Sequence, residues 1–388
     1  MRTHPLSESQ YVLWESVDEI DVALWNSIRD PEDIFMDPRL LRAIEQSMGD
    51  QSDIWYLLLR DEQGRPTAIT CLSTWTVDAF ILAEDNWSNR VFRQLQRLAP
   101  GLFSHKLLVS GMPMSAAQSY LRFAPHADRV AAFDQLDRLM HALARSINAR
   151  CIVLKEFTDE ELDGLQGFEQ RSYHRVDSLP QNLIYPDQPT LTDYVEKSLD
   201  KKKRWSIRKT FKLFEAGGLV AHFTSDASEV ERLYTNDVHA MYQAVYANAE
   251  RKLELLPRRF FTELSRQLGE NCNFCFLLKD EQVMAFICSI FSATGYYPLF
   301  VGFNYERNLE YGLYFNAMLR AFGDGLERGV PTIQVGQNAD VFKQRNLGCH
   351  HERRHLLIKG VRAPMRLALQ IGKRQVFPEY PLLGRKAG

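Results

Sequence analysis

Residues 273–291 read NFCFLLKDEQVMAFICSIF. Two β-rich apolar runs flank a short polar turn at Asp280 and Glu281, and this pattern predicts a β-hairpin. A third strand is predicted in YYPLFVGF, residues 296–303. The segment 308–329 then shows apolar residues at helical spacing and ends at a capping glycine. This part of the chain therefore predicts the order hairpin, strand, helix.

The same order of elements occurs in the first half of the chain. There the hairpin is IWYLLLRD and PTAITCLSTW, the third strand is HKLLVSG and the helix is DRVAAFDQLDRLMHALARSI. Each half then continues with strand, short helix and strand: CIVLKEF, DEELDGLQ and LPQNLIYP in the first half, and TIQVG, ADVFKQR and RHLLIKG in the second. A repeated element order predicts a duplicated architecture.

We therefore predict an α/β protein of two tandem domains, each a mixed sheet flanked by helices. The proline-containing segment YPDQPT, residues 185–190, is the expected linker. The predicted boundaries are 1–187, 188–362 and a basic C-terminal tail at 363–388. The first domain carries an extra stretch at 76–105, to which the sequence assigns no function.

The composition is that of an ordinary globular protein. The chain has 388 residues, 25% of them charged, and a formal net charge of −2. No apolar run reaches the length of a membrane span, and the N-terminus lacks the apolar core of a signal peptide. We therefore expect a cytoplasmic location, with neither a metal site nor a permanently bound cofactor. Nothing in the sequence predicts the oligomeric state.

One segment departs from this average. Residues 201–212, KKKRWSIRKTFK, contain seven basic residues and no acid. On a helical period Ile207, Phe211 and Phe214 share one face. Lys201, Arg204, Arg208 and Lys212 share another, with Asp200 placed to cap the start. The basic stripe predicts a site for a polyanionic ligand; the alternative is a solvated helix face.

Three stretches resemble the FemAB-like, or BioF2-like, branch of the GNAT acyltransferase superfamily. They are SLDKKKRWSIRKTFKLFEAGG, GFNYERNLEYGLYFNAML and IQVGQNADVFKQRNLGC. The resemblance implies two tandem GNAT-like domains, of which the second holds the active cleft. The first is expected to be degenerate, since no glycine-rich cradle precedes its helix.

The resemblance also implies site residues. Gln337 and Lys343 correspond to the polar loop that lines the acyl-transfer site, where Gln337 would stabilise the oxyanion and Lys343 would bind an anion or relay a proton. Arg307 and Gly312 correspond to a phosphate-binding helix N-terminus, but Glu310 replaces a glycine expected between them. Arg204 and Arg208 complete the predicted anion-binding set.

Two of these interpretations have a plain structural alternative. Lys343 is also what a surface residue of a short helix would look like. Tyr242 and Tyr246, which lie one turn apart, would line the acceptor pocket, although aromatic residues at this spacing are also typical of a core.

The predicted function is N-acyl transfer from an acyl-CoA or other thioester to an amine on a small molecule or other acceptor. One alternative is aminoacyl transfer from aminoacyl-tRNA, for which the basic stripe would bind the RNA backbone. The other alternative is a non-catalytic RNA-binding protein on the same scaffold.

Overall fold

The computed structural model describes residues 10–78, 104–114, 116–249, 254–337, 340–377 and 380. Most of the extra stretch at 76–105, and the end of the tail at 363–388, lie outside the described residues. Within the described residues, no helix combines the length and the apolar character needed to cross a membrane.

In the first half of the chain, the described residues form eight strands and four α-helices. They are β1 Tyr11–Trp14, α1 Val22–Asn26, α2 Pro38–Met48, β2 Ile54–Arg60, β3 Pro66–Asp78, β4 Ser104–Ser110, β5 Leu121–Phe123, α3 Arg129–Ser146, β6 Cys151–Phe157, α4 Asp159–Asp163, β7 His174–Asp177 and β8 Gln181–Ile184.

In the second half, the residues that the structure describes form seven strands and nine α-helices. They are α5 Leu191–Lys197, α6 Lys201–Ala216, β9 Val220–Thr224, α7 Ala227–Leu233, α8 Asn236–Asn248, α9 Arg258–Leu268, β10 Cys272–Lys279, β11 Gln282–Ser292, β12 Gly295–Phe303, α10 Tyr305–Tyr311, α11 Leu313–Glu327, β13 Ile333–Gln334, α12 Asp340–Leu347, β14 His350–Glu352, β15 His355–Gly360 and α13 Ala363–Val376.

The strands form two mixed sheets with matching order. The first sheet runs β1-β2-β3-β4-β6-β15-β7, with β5 paired to β3, and the second runs β9-β10-β11-β12-β13-β8-β14. In both, four antiparallel strands come first and a parallel pair follows, β4 with β6 and β12 with β13. The predicted duplication of a mixed sheet flanked by helices is confirmed.

The last strand of each half was predicted in the wrong sheet. LPQNLIYP contains β8, which lies in the second sheet between β13 and β14. RHLLIKG contains β15, which lies in the first sheet between β6 and β7. The two halves have therefore exchanged their final strands. A strand pattern predicts an extended segment but does not predict its partner, which is a non-local property.

The exchange moves the unit boundaries from those predicted. The first compact unit contains Phe35–Leu179 and also the later segment that begins at Arg353 and includes α13. The second compact unit contains Pro180–Glu352. In the first unit, Lys359 of β15 donates from Nζ to the carboxylate of buried Asp137 at 2.6 and 2.9 Å. This buried charged pair joins β15 to α3.

The core of the second unit lies between its sheet and the helices α5, α6 and α11. It contains Ile207 and Phe214 of α6, Leu277 of β10 and Leu319 of α11. The other face of the sheet contributes Phe274, Phe286 and Phe300 to an aromatic cluster with Tyr234, which directly follows α7, and with residues of α8 and α9.

Candidate active site

The parallel pair of the second sheet separates after a single register position. β12 pairs with β11 along its length, but it meets β13 only where Tyr296 is opposite Ile333. From there β12 runs to Phe303 with no described strand on its β13 side. Main-chain groups of β12 therefore line an open edge inside the sheet, where an amide-containing ligand can bond.

A β-bulge lies at this opening. The register shifts between Ser289 opposite Pro298 and Cys288 opposite Phe300, so Leu299 is the extra residue of β12. Pro298 has no N–H group, and proline in a sheet is found at bulges and edges for this reason. The strand predicted at YYPLFVGF did not include this bulge, although the proline within it is a signal for one.

A polar loop follows β13 directly. Gly336 has φ of +76°, a conformation that favours glycine. Its carbonyl oxygen accepts three hydrogen bonds: from Asn182 Nδ2 at 2.8 Å, from Asn182 N at 3.3 Å and from Lys343 Nζ at 3.2 Å. Asn182 lies on the exchanged strand β8, so the exchange itself builds this loop.

Lys343 is a buried residue, not a surface one, with only 4% of its area exposed. Its Nζ also donates to the carbonyl oxygen of Gln337 at 3.2 Å. The ammonium group thus bonds two consecutive carbonyls and holds the loop conformation. Burial of a lysine is uncommon and requires such partners.

Gln337 is half-buried and directly follows Gly336. The structure therefore brings Gln337 and Lys343 together through the Gln337 main chain. Helix α12, which carries Lys343, is held in place on two sides. Ser206 of α6 donates to Asn346 Oδ1 at 3.2 Å, and the Tyr194 hydroxyl donates to the Leu347 carbonyl at 2.8 Å.

The start of α11 lies beside α12. The Phe342 ring is 5.3 Å from the Tyr314 ring and 5.1 Å from the Phe315 ring, between centroids. The predicted helix at 308–329 is divided here into α10 and α11 by Gly312, whose φ is +62°.

Gly312 has a structural role in addition to the phosphate-binding role that the resemblance implied. A Cβ atom at this position would lie 3.3 Å from both Thr210 Cγ2 and Asn316 Nδ2. The buried Asn316 side chain donates to the carbonyls of Thr210 and Gly312, each at 3.1 Å. Close packing on α6 and the left-handed backbone account for this glycine.

The helix N-terminus at this junction already has partners. Asn308 Oδ1 accepts from the N–H of Tyr314 at 2.9 Å, so one donor of the α11 N-terminus is satisfied by the chain itself. Arg307 is exposed and forms a salt bridge of 2.8 Å with Glu310. Hydrogen bonds from Tyr311 and Arg307 lower the pKa of the Glu310 carboxyl, which therefore stays charged.

Arg204 and Arg208 both bond to one residue of α5. Arg204 Nη1 donates to the Glu196 carbonyl at 2.7 Å, and Arg208 Nη2 donates to the Glu196 carboxylate at 2.7 Å. The cap predicted for α6 is confirmed, since Asp200 accepts from the N–H groups of Lys202 and Lys203 at 3.0 Å.

Tyr242 lies apart from this polar loop. Its ring packs 5.0 Å from Phe261 and 6.1 Å from Phe300, and its hydroxyl accepts from the N–H of Leu256 at 3.2 Å. Burial raises the pKa of this phenol. Tyr242 is thus part of the aromatic cluster on the α7–α9 face of the sheet, and Tyr246 lies one turn later on α8, partly exposed.

Known proteins resemble this chain in one domain and in its fold. Residues 201–344 match the family model described as acetyltransferase (GNAT) domain. The crystal structure of FemX has a TM-score of 0.53 at 8% identity and covers 90% of this chain and 96% of its own.

Two further solved structures have lower scores. A tandem GNAT protein from the clavulanic acid biosynthesis pathway has a TM-score of 0.49 at 9% identity, covering 91% of this chain and 99% of its own. L-PGS from Bacillus licheniformis has a TM-score of 0.48 at 11% identity, covering 90% and 100%. Comparison with curated protein sequences gave no match.

The part of the chain that matches the GNAT domain model thus runs from α6 into α12 and includes the open β12–β13 edge, and 90% of the chain shares its fold with FemX. The chain carries an acyltransferase domain of the GNAT type at residues 201–344, and its fold is that of FemX.

Proposed function

We propose that the second unit transfers an acyl or aminoacyl group from an activated donor to an amine, with the reacting carbonyl at the opening between β12 and β13. The observation that carries this proposal is the separation of two parallel strands beside a polar loop held by a buried lysine. The open edge of β12 offers main-chain hydrogen bonds to the donor, and the loop after β13 offers the Gln337 side chain.

The reaction needs no covalent enzyme intermediate. The neutral amine attacks the donor carbonyl and forms a C–N bond, while the C–S or C–O bond of the donor breaks. The leaving thiolate or alkoxide takes the proton that the amine loses. The Gln337 side-chain amide would donate to the carbonyl oxygen as negative charge develops there, and positioning supplies the rest of the acceleration.

Lys343 has a more restricted role in this proposal than the sequence suggested. Its Nζ bonds the carbonyls of Gly336 and Gln337, so we assign it to positioning the loop. We do not assign it proton transfer.

The donor is either a thioester, such as acyl-CoA, or an aminoacyl-tRNA. One observation favours the aminoacyl-tRNA. The α11 N-terminus, where a pyrophosphate would bind, has the Asn308 side chain on the N–H of Tyr314 and the charged Glu310 one turn away. A carboxylate at a phosphate site is unfavourable. A donor that is held elsewhere avoids this repulsion.

The test is an acyl-transfer assay on the purified chain with both donor classes and a panel of primary amines, read by mass spectrometry. Native mass spectrometry of the protein as purified would add the identity of any co-purified donor. Gln337→Ala should abolish most of the transfer that the parent shows. If the parent transfers neither class of acyl group to any amine, or if Gln337→Ala transfers at the parent rate, the proposal fails in its reaction or in its site.

A further inference from the structure

Trp205 lies at the centre of the solvent face of α6. Its side chain is 64% exposed, whereas Ile207, Thr210 and Phe214 of the same helix are buried. At about 100° per residue, Trp205 projects roughly opposite the middle of that buried side. A tryptophan therefore lies on the side of this helix that faces away from the core.

Four lysines on the same side of α6 have no acidic partner among the described residues. Lys201, Lys202, Lys209 and Lys212 are exposed and form no ion pair with any described carboxylate, whereas the Lys203 and Arg208 side chains pair with Asp200 and Glu196. Lys209 Nζ lies 5.4 Å from the Trp205 ring centroid. From Lys201 to Lys212 the helix rises by about 16 Å.

A flat exposed ring among uncompensated cations fits a nucleotide. A base stacks on the indole, and the phosphates on either side meet the ammonium groups. An acidic protein surface would use the charges but has no need of the ring. A membrane would need a larger apolar patch than one tryptophan surrounded by charges.

This face is close to the candidate active site. Ser206, the residue after Trp205, donates to Asn346 at 3.2 Å, and Asn346 lies one turn beyond Lys343 on α12. A ligand that is held on α6 can therefore extend a short distance along α12 to reach the loop at Gln337.

We propose that the solvent face of α6 binds the phosphorylated nucleoside end of the acyl donor, with the base stacked on Trp205 and the phosphates on the lysines around it. This inference rests on the proposed function, because both donor classes supply that chemistry. Coenzyme A ends in a phosphorylated adenosine, and the single-stranded 3′ end of a tRNA also ends in adenosine. The length of the lysine row exceeds one nucleotide and favours the RNA.

The experiment measures binding directly, with the full chain. A fluorescently labelled, short single-stranded RNA ending in CCA is titrated by anisotropy, and coenzyme A and adenosine 3′,5′-bisphosphate are used as competitors. Trp205→Leu should weaken binding of the nucleotide ligand about fivefold or more, the range expected for loss of one stacked base. Trp205→Phe, which keeps a flat ring, should restore most of the affinity.

The charge contribution has its own readout. Lys209→Gln should reduce the slope of log affinity against log salt by about 0.7, the value expected for one fewer contact with a single-stranded phosphate. Arg232→Gln on α7, a well-exposed cation paired with Glu229, removes the same charge elsewhere in the unit and should leave the RNA affinity unchanged.

The outcomes separate cleanly. Loss of RNA binding in Trp205→Leu assigns the site to a polynucleotide, and loss of coenzyme A binding assigns it to a nucleotide thioester. Equal affinity of Trp205→Leu and the parent for every nucleotide probe would overturn the proposal, as would absence of any nucleotide binding by the parent. A truncated N-acetylcysteamine thioester tests the reaction itself: if the parent transfers this acyl group yet binds no nucleotide, only the α6 site is refuted.

Discussion

Replacement of Lys343 by methionine tests the candidate site most directly, because methionine fills a similar volume without the ammonium group. The structure gives the expected cost. Lys343 Nζ donates to the carbonyls of Gly336 and Gln337, both at 3.2 Å, in a buried position. Hydrogen bonds from a charged group contribute about 1.5–3 kcal/mol each, but these two are long, and the Gly336 carbonyl keeps its bonds to Asn182. We therefore expect a loss of about 2–4 kcal/mol in the free energy of unfolding.

The effect on turnover should exceed what this loss of stability explains. The loop that carries Gln337 loses one of the groups that fix its main chain, and misplacement by about 1 Å can lower a rate about 100-fold. The assay is steady-state kinetics well below the melting temperature of the variant, together with chemical denaturation. A positioning role predicts that kcat falls while its pH dependence keeps its shape.

A matched comparison sharpens this test. Asn182→Ala removes another donor to the Gly336 carbonyl, so its effect and that of Lys343→Met should not add in the double variant. The reasoning is wrong if Lys343→Met unfolds at the same denaturant concentration as the parent and turns over at the same rate. A changed pH profile would instead indicate that Lys343 transfers a proton.

Four further tests address separate parts of the structure. Gln337→Ala should lower kcat tenfold or more, about 1.4 kcal/mol, with little change in melting temperature, and equal rates would place the oxyanion donor elsewhere. Arg204→Ala combined with Arg208→Ala should weaken donor binding without unfolding the protein. Glu196→Gln frees Arg208 from its salt bridge and should strengthen donor binding. Equal donor Kd values in the parent, the double variant and Glu196→Gln would refute an anion-binding role. Gly312→Ala should destabilise the protein by about 1–2 kcal/mol. Gly329→Ala should cost less, because Gly329 shares the positive φ but has open space where a Cβ would lie. If chemical denaturation gave the reverse order, the packing argument would be contradicted. Lys359→Met should cost about 3–5 kcal/mol because it leaves Asp137 buried without its cation, and an unchanged unfolding midpoint would show that this pair does not hold β15.

The sequence predicted the local elements well because their signals are local. Asp200 caps α6 as predicted, and the apolar face of that helix is buried at Ile207 and Phe214. The hairpin strands β10 and β11 meet at the turn formed by Asp280 and Glu281, both of which have positive φ. Each of these features depends on residues fewer than about ten positions apart.

The features that the sequence did not predict depend on distant partners. Whether Lys343 is buried depends on Gly336 and on Asn182, which lies more than a hundred residues earlier, on a strand expected in the other sheet. The salt bridge of Arg208 with Glu196 joins two helices, so the absence of acids within the basic stripe did not reveal it. No local pattern contains this information.

Comparison of the two parallel strand pairs indicates where the chemistry belongs. In the first sheet β4 and β6 stay paired over four positions, from Leu107 to Ser110 on β4. Immediately beyond, Lys155 Nζ donates to the carbonyls of Met112 and Met114, both at 2.9 Å, and a Cβ on Gly111 would come within 2.6 Å of the Lys155 side chain. The place where these strands separate is thus filled by a buried lysine stem. In the second sheet, β12 and β13 are paired at only one position. The lysine that follows β13 is Lys343, which lies on α12 and supports the loop at the edge of the opening. The same strand order thus has one filled separation and one open separation, which supports our proposal that acyl transfer takes place in the second unit.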